Sequence, residues 1–296
     1  MIHNLPDIII TGLILGGIYA LIAVGLTLQY GVGRVLNVSH GEFIMLGALV
    51  TYSLFTNKAF SVSPPIAIAV ITPLLFGVGY LLDRTLFNYL RKTSIHAEAF
   101  SGRSLLASFG LFFVVQNLML LIWGANLKGY SYLNASVSIF GARYGVNRLL
   151  ALGVAVGVSA VFYLFIRNTR LGKAIRAAAE NPTMAQVMAV NVKQVLAICF
   201  GLGAALAGLA GVLYSLMFEL APNKGIELTI IAIVVVVFGG LGSITGSLIG
   251  GFLLGLVTSV VNFIDPSLSL VAFYLIFILL LLFKPSGILG RQIHAD

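Results

Sequence analysis

Charged residues and cysteine are both scarce in this chain, and each shortage excludes a class of protein. Only 9% of the 296 residues are charged, against roughly a quarter in a soluble domain. With 59% hydrophobic residues and a mean hydropathy of +1.07, the composition indicates a polytopic membrane protein. The one cysteine, Cys199, cannot form an internal disulfide and is interpreted as a small core residue.

Several chemical signatures are also missing. No Gly-x-x-x-x-Gly-Lys-Ser/Thr occurs, so the chain binds no nucleotide through a P-loop, and any ATP and magnesium would be used by another polypeptide. No Gly-x-Ser-x-Gly elbow occurs, and the four histidines show no metal-ligand spacing. We therefore predict no catalytic residue, no metal site and no cofactor bound by this chain. The net charge of +8 is attributed to cytoplasmic loops rather than to nucleic-acid binding.

Long apolar runs account for most of the chain. A membrane-spanning helix needs about 20 apolar residues, and eight or nine segments meet or approach that length. We predict an all-α membrane protein of about eight transmembrane helices with broken or re-entrant segments, in a single domain over residues 1–296. The predicted segments are 8–33, 43–57, 65–82, 104–123, 149–166, 195–218, a charge-free stretch 228–264, and 268–283.

The charge-free stretch 228–264 is too long for one straight helix. At about 1.5 Å per residue it would measure roughly 55 Å, against a hydrocarbon core of about 30 Å. Residues 239–246 read Gly-Gly-Leu-Gly-Ser-Ile-Thr-Gly, and we predict the break there. Non-helical backbone at membrane depth is tolerated only inside protein or beside a cavity.

Basic residues predict the orientation of the chain. The loops 83–103 and 167–194, together with Arg34, Lys284 and Arg291, hold twelve basic residues, and the other side holds five. The positive-inside rule places the first set in the cytoplasm, with the N-terminus outward for eight spans.

A polar cluster follows the first apolar run, where residues 35–42 read Val-Leu-Asn-Val-Ser-His-Gly-Glu. Ionisable groups are costly at membrane depth, so a pathway or a binding site is the default hypothesis. Neighbouring helical residues point about 100° apart, which argues against a hydrolytic Ser39–His40 pair. The structural alternative is that Asn37 or Ser39 caps a helix beginning near Gly41, with Glu42 in its first turn.

The stretch 167–194 predicts a cytoplasmic helical hairpin. Leu171, Ile175 and Ala178 share one helical face, and Glu-Asn-Pro at 180–182 ends that helix. A second short helix follows over 183–190, with Asn181 as its N-cap and proline at its first position. The hairpin could dock into a soluble partner, or it could be a solvated connection.

Two stretches are predicted to lie on the outer side. The polar and aromatic loop 124–148 is either a docking surface for an external partner or an ordinary connection. The short turn 218–225 is followed closely by the apolar run at 228, and we interpret Glu219 and Glu227 as solvated side chains.

Three patches together resemble the branched-chain amino-acid ABC transporter permeases of the LivH type. They are residues 37–42 with the preceding Tyr30-Gly, residues 176–185 (Arg-Ala-Ala-Ala-Glu-Asn-Pro-Thr-Met-Ala) and residues 238–251 (Phe-Gly-Gly-Leu-Gly-Ser-Ile-Thr-Gly-Ser-Leu-Ile-Gly-Gly). The resemblance implies the ABC importer permease fold and a multi-pass location in the bacterial inner membrane. It also implies protein partners, namely a LivM-like second permease, two cytoplasmic ATP-binding subunits and a periplasmic solute-binding protein, and it places this chain in contact with membrane lipid.

The resemblance also implies roles for individual residues. The family's ATPase-contacting segment matches Arg176, Ala178, Glu180, Asn181 and Met184. Segments expected along the translocation path match Asn37, Ser39, His40, Glu42, Gly239, Gly242, Ser243 and Thr245. We expect the polar cluster to form one side of the passage and the glycine break to lie opposite it. The family usually has alanine at position 39 and often proline at position 245. These departures leave the solute open, since related permeases carry urea, short amides or aromatic acids.

Two other functional classes remain as alternatives. A self-contained secondary transporter or channel could use His40 and Glu42 for proton coupling. A membrane hydrolase would use Ser39 or Ser243 as its nucleophile.

Overall fold

A computed structural model of the chain describes residues 5–59, 61–139, 142–284 and 286–289. The described residues are mainly helical, with one short hairpin of two antiparallel strands, β1 (Ser136–Ile139) and β2 (Ala142–Gly145). The helices are α1 (Leu5–Gly33), α2 (His40–Thr56), α3 (Pro64–Leu82), α4 (Asn88–Thr93), α5 (Ala97–Trp123), α6 (Val146–Asn168), α7 (Arg170–Glu180), α8 (Pro182–Val187), α9 (Val192–Ser215), α10 (Gly225–Gly239), α11 (Ile244–Ile264) and α12 (Ser269–Phe283).

The predicted all-α membrane architecture is confirmed. Eight helical segments in the described ranges are long and apolar enough to cross a membrane. The charge-free stretch breaks where the glycines predicted, because α10 ends at Gly239 and α11 begins at Ile244. Helix α2 has only 17 residues and is not among the eight, which is the first sign that it begins inside the bundle.

The predicted loop 83–103 is shorter than expected. A π-helical turn, Asp83–Phe87, continues α3 directly into α4, so the helix reaches Thr93. Asp83 is buried and forms a salt bridge with Arg91, which lies two turns further along. The pair lets a charged segment extend the helix, where sequence reasoning placed a loop.

Helices α1 and α9 form the centre of the bundle, because most of their residues are buried. Helix α1 packs antiparallel against α11, with Gly12 near Leu256 and Gly31 near Gly242. The approach is closest at Gly255, where an added Cβ would lie 2.3 Å from the Cα of Gly16. Small residues therefore bring these helices into backbone contact, as is common between helices in lipid.

The aromatic side chains in the loop 124–148 pack largely inward. The Tyr130 hydroxyl lies 2.7 Å from the Ser215 hydroxyl at the end of α9, and its ring lies 4.7 Å from the ring of Phe55. Burial raises the pKa of Tyr130 to about 12. Tyr144 is buried as well. These contacts leave less of the loop's aromatic surface for an external partner than its composition predicted.

The predicted hairpin is present as α7 and α8. The Asn181 side chain accepts a hydrogen bond from the Met184 N–H at 3.0 Å, which confirms the predicted N-cap. Thr169 caps α7 in the same way through the Gly172 N–H. We call the side of the bundle where this hairpin lies the hairpin end, and the side of the 124–148 loop the loop end.

Candidate functional site

The chain turns back into the bundle after α1. Arg34 adopts a left-handed backbone conformation with φ of 52°, and residues 34–39 then run in a non-helical path to the start of α2. The Val38 N–H donates to the Ser108 hydroxyl of α5 at 3.2 Å. His40 Nε2 lies 3.0 Å from the carbonyl oxygen of Ile22 in α1. The re-entrant segment is therefore fixed between two helices.

The depth of this segment follows from the helices that it contacts. Ile22 lies eleven residues before Gly33, the hairpin-end terminus of α1. Ser108 lies eleven residues after Ala97, the hairpin-end terminus of α5. At about 1.5 Å per residue, both contacts are about 16 Å from the hairpin end. Helix α2 therefore begins near the middle of the bundle.

Helix α10 begins at the same depth. Thr229, in the second turn of α10, lies ten residues before Gly239, or about 15 Å from the hairpin end. Its hydroxyl accepts from the Gly41 N–H at 2.8 Å and donates to the Val38 carbonyl at 2.9 Å. A Cβ added to Gly41 would lie 1.9 Å from the carbonyl oxygen of Gly225. Two helices thus begin inside the bundle and touch at their first turns.

These contacts correct the predicted capping of α2. Ser39 occupies the N-cap position but forms no side-chain cap, because its hydroxyl donates to Asn37 Oδ1 at 2.6 Å. The Gly41 N–H is instead satisfied by Thr229 of α10. Sequence reasoning missed Thr229 because its partners are about 190 residues away in the chain. A polar residue at the start of the charge-free stretch was the available signal.

Asn37 belongs to a buried chain of amides. Its Nδ2 donates to Gln29 Oε1 at 3.1 Å, and Gln29 Nε2 donates to the Phe200 carbonyl at 3.4 Å. The Asn37 Oδ1 also accepts from the backbone N–H of Ser39. All of these groups are buried, so the network links α1 and α9 to the re-entrant segment. Gln29 is a second site residue that sequence reasoning missed.

His40 and Glu42 are fully buried and incompletely satisfied. Because a carbonyl oxygen can only accept, His40 Nε2 carries the proton in its contact with Ile22. Within the described residues, His40 Nδ1 and both Glu42 carboxyl oxygens have no hydrogen-bond partner. A Cβ added to Gly225 would lie 2.0 Å from Glu42 Oε1, so the carboxyl group packs directly on the start of α10. Buried polar groups are normally paired, and unpaired ones mark sites whose partners come from elsewhere.

The glycine break lies elsewhere in the bundle. It was expected opposite the polar cluster, but it lies at the hairpin end, where an added Cβ on Gly31 would be 3.0 Å from the Cα of Gly242. The first turns of α10, and not the glycine break, face the polar cluster. Ser243 caps α11 by accepting from the Gly246 N–H at 3.0 Å. Gly239 packs against Gly246, and Thr245 is exposed.

A cavity of 310 Å³ joins the glycine break to the hairpin. Its lining includes Gly242 and Thr245, which sequence reasoning placed on the path, and Arg176, which it placed in ATPase coupling. Helix α7 and the break therefore line one cavity. The full lining is Thr27, Leu28, Gly31, Val32, Tyr163, Ile166, Arg167, Ile175, Arg176, Ala179, Gly242, Ile244 and Thr245.

The residues predicted for ATPase coupling divide by exposure. Glu180 and Met184 are exposed, and Arg176 is also exposed while donating to the Arg167 carbonyl at 3.1 Å. Asn181 is exposed and caps α8. Ala178 is buried within this chain, so it packs α7 against the bundle and does not face a partner. Its small side chain permits that close packing.

Two helices that begin inside the bundle, with unpaired polar groups where they meet, are an arrangement typical of membrane transport proteins. The chain belongs to the family described as branched-chain amino acid transport system / permease component, which matches residues 8–282. It is therefore a multi-pass membrane transport subunit and not an enzyme, and the hydrolase alternative is set aside.

Curated relatives match over nearly the whole chain. It is 32% identical to the high-affinity branched-chain amino acid transport system permease protein BraD of Pseudomonas aeruginosa, covering 98% of this chain and 97% of that protein. It is 29% identical to the corresponding permease protein LivH of Escherichia coli strain K12, covering 95% and 94%. A probable LivH of Methanocaldococcus jannaschii is 30% identical, with 94% and 90% covered. No solved structure matches the chain.

Proposed function

We propose that this chain is one permease subunit of an ATP-driven ABC importer and forms half of the translocation path. The solute is a branched-chain amino acid or a related small polar molecule such as urea, an amide or an aromatic acid. The partners are a second, LivM-like permease, two cytoplasmic ATP-binding subunits and a periplasmic solute-binding protein. ATP and magnesium are used by the ATP-binding subunits. The basic loops support a cytoplasmic position for the hairpin end.

The observation that carries the proposal is the surface of α8. Met184, Val187 and Met188 are 63%, 76% and 78% exposed at the tip of the hairpin. This tip lies outside the eight candidate spans. Exposed apolar side chains grouped on a polar segment are typical of a protein interface. These side chains bind in a groove on an ATP-binding subunit.

The cavity supplies a route from the hairpin to the path. Ile175 is a buried residue of α7 and lines the same cavity as Gly242. When the ATP-binding subunits close, α7 moves, and the movement reaches the break between α10 and α11. Helix α10 has 15 residues and joins the break to the polar cluster, so its other end carries the movement to Thr229. The first turns of α2 and α10 then separate to admit the solute.

Reconstitution tests this function against a self-contained carrier. The chain is assembled with its four partner subunits in proteoliposomes, and uptake of radiolabelled leucine is measured with and without ATP inside. We expect uptake only with ATP and with every subunit present. Uptake by this chain alone, driven by an ion gradient, would support the secondary transporter instead.

A further inference from the structure

The cavity between α7 and the glycine break, which we call the hairpin cavity, has a basic mouth and an apolar base. Arg167, Arg176 and Thr245 line it and are exposed, so they form the mouth. Ile166 and Ile175 line it and are buried, so they belong to the base. With a volume of 310 Å³, the cavity falls within the size range of small-molecule sites, about 300–1,000 Å³.

The charged side chains of the hairpin cavity are basic. Among the described residues that line it, none carries a carboxylate. The Arg176 guanidinium is held at the end of α6, where its Nη2 donates to the Arg167 carbonyl at 3.1 Å. A guanidinium has five N–H donors, so this bond leaves others available. The Tyr163 and Thr245 hydroxyls lie in the same lining. These donors suit an anion with several acceptor oxygens, and phosphate is an anion that guanidinium groups bind through paired N–H donors.

The mouth lies at the level where two transmembrane spans end. Arg167 is the penultimate residue of α6, and Thr245 is the second residue of α11. Both helices are among the eight candidate spans, so the mouth lies near the membrane surface, at the level of the lipid headgroups. Basic pockets between transmembrane helices at the cytoplasmic surface are typical sites for anionic headgroups.

Exposed apolar surface continues from the mouth toward the membrane interior. On α6, Leu164 lies three residues before Arg167 and is 52% exposed. On α11, Ile249 and Leu253 lie four and eight residues beyond Thr245 and are 43% and 39% exposed. At about 1.5 Å per residue, these side chains lie about 5–12 Å below the mouth. A phospholipid with its headgroup at the mouth can lay its acyl chains on this surface, whereas a soluble phosphate gains nothing from it.

We propose that the hairpin cavity binds the phosphate group of an anionic phospholipid at its two arginines, with the acyl chains on α6 and α11. The headgroup contacts both α6 and α7, so the lipid ties the hairpin to the bundle. The site is separate from the first turns of α2 and α10, where the solute passes. The inference goes beyond the proposed function, because binding of the lipid requires neither solute nor ATP.

The test counts the lipids that the complete transporter retains. Purified complex is equilibrated with detergent micelles containing phosphatidylglycerol, which is anionic, or phosphatidylcholine, whose phosphate is neutralised by its choline. Native mass spectrometry records the retained lipids as the lipid concentration is varied. We expect phosphatidylglycerol to be preferred, and Arg167→Gln to weaken its binding at least about tenfold, the factor for one charge-assisted hydrogen bond. This variant keeps the Arg167 backbone carbonyl and therefore the bond from Arg176.

Two further variants make the result specific. Arg170→Gln is the matched control, because Arg170 is exposed at the start of α7 and does not line the cavity. It removes the same charge at the same end of the bundle and should bind phosphatidylglycerol like the unmodified protein. Thr245→Asp adds a negative charge at the mouth and removes no basic residue. We expect it to weaken the binding of phosphatidylglycerol as Arg167→Gln does.

Inorganic phosphate distinguishes the source of the anion, because it has the phosphate group without acyl chains. We expect it to leave phosphatidylglycerol bound when the two are present at equal concentration. Displacement would overturn the lipid assignment in favour of a soluble phosphate.

The remaining outcomes separate this site from the proposed function. Equal binding of the two lipids, or equal binding of phosphatidylglycerol by Arg167→Gln and Arg170→Gln, would refute the lipid site. If Arg167→Gln does not assemble, Thr245→Asp decides, and unchanged binding by that variant refutes the site. Lipid retention is measured without solute or ATP, so absence of ATP-dependent uptake by the unmodified complex would refute the proposed function alone.

Discussion

Thr229 gives the sharpest test of how α2 and α10 are joined. Its hydroxyl satisfies the Gly41 N–H at 2.8 Å and the Val38 carbonyl at 2.9 Å, and all three residues lie within the bundle. Valine has nearly the same shape but no hydroxyl. The change Thr229→Val therefore leaves two buried backbone groups without partners.

The magnitude follows from those two groups. An unsatisfied buried donor or acceptor costs about 1–3 kcal/mol, so Thr229→Val should destabilise the protein by about 2–5 kcal/mol. For a chain of this size the midpoint of thermal unfolding should fall by roughly 5–15 °C. The assay is thermal unfolding of the purified protein in detergent, followed by a thiol-reactive dye that detects the exposure of Cys199, which is buried in the folded state.

Two controls make the result specific. Thr229→Ser keeps the hydroxyl and should unfold within a few degrees of the unmodified protein. Thr51→Val removes a buried hydroxyl that donates to the Gly47 carbonyl of its own helix at 2.7 Å. The change leaves no backbone group without a partner, so it should lower the free energy of unfolding by under about 1 kcal/mol. If Thr229→Val unfolds at the same temperature as Thr51→Val, Thr229 does not join the two helices.

Two further predictions concern the path and the hairpin. Replacing His40 with Ala removes the contact between the start of α2 and Ile22 of α1, and we expect uptake by the assembled transporter to fall at least about tenfold. Unchanged uptake would show that the polar cluster has only a structural role. The double change Val187→Asp and Met188→Asp places charge on the apolar tip of α8, and we expect it to prevent co-purification of the ATP-binding subunits. Ile95→Asp is its control, because Ile95 is 87% exposed at the same end of the bundle but outside the hairpin. Equal loss of the subunits in both would show that the hairpin is not the specific contact.

The sequence predicted those features that depend on neighbouring residues. The break at 239–246 follows from helix length and four glycines, and the Asn181 cap follows from an Asn-Pro pair at the start of a short helix. The spans follow from runs of apolar residues. Each of these signals is complete within about twenty residues, so tertiary contacts are not needed to interpret it.

Depth within the bundle could not be predicted in the same way. Helix α2 begins near the middle because residues 34–39 fold back along α1, and α10 begins there because the chain re-enters from the loop end. Neither starting point can be predicted from a run of apolar residues. As a result, Thr229 was overlooked, and the glycine break was expected opposite the polar cluster. Both outcomes depend on which helix ends meet.

The central claim is that solute passes between the first turns of α2 and α10. It is tested most directly by cysteine labelling in a Cys199→Ala background. Ser39 is buried at the start of α2, and Phe113 lies on the exposed apolar face of α5. A water-soluble thiol reagent is applied to the assembled transporter carrying Ser39→Cys or Phe113→Cys. The account predicts that leucine-loaded binding protein with ATP speeds the labelling of the Ser39 variant, whereas the Phe113 variant stays unlabelled. Labelling of the Ser39 variant that does not respond to solute and ATP would contradict the path described here.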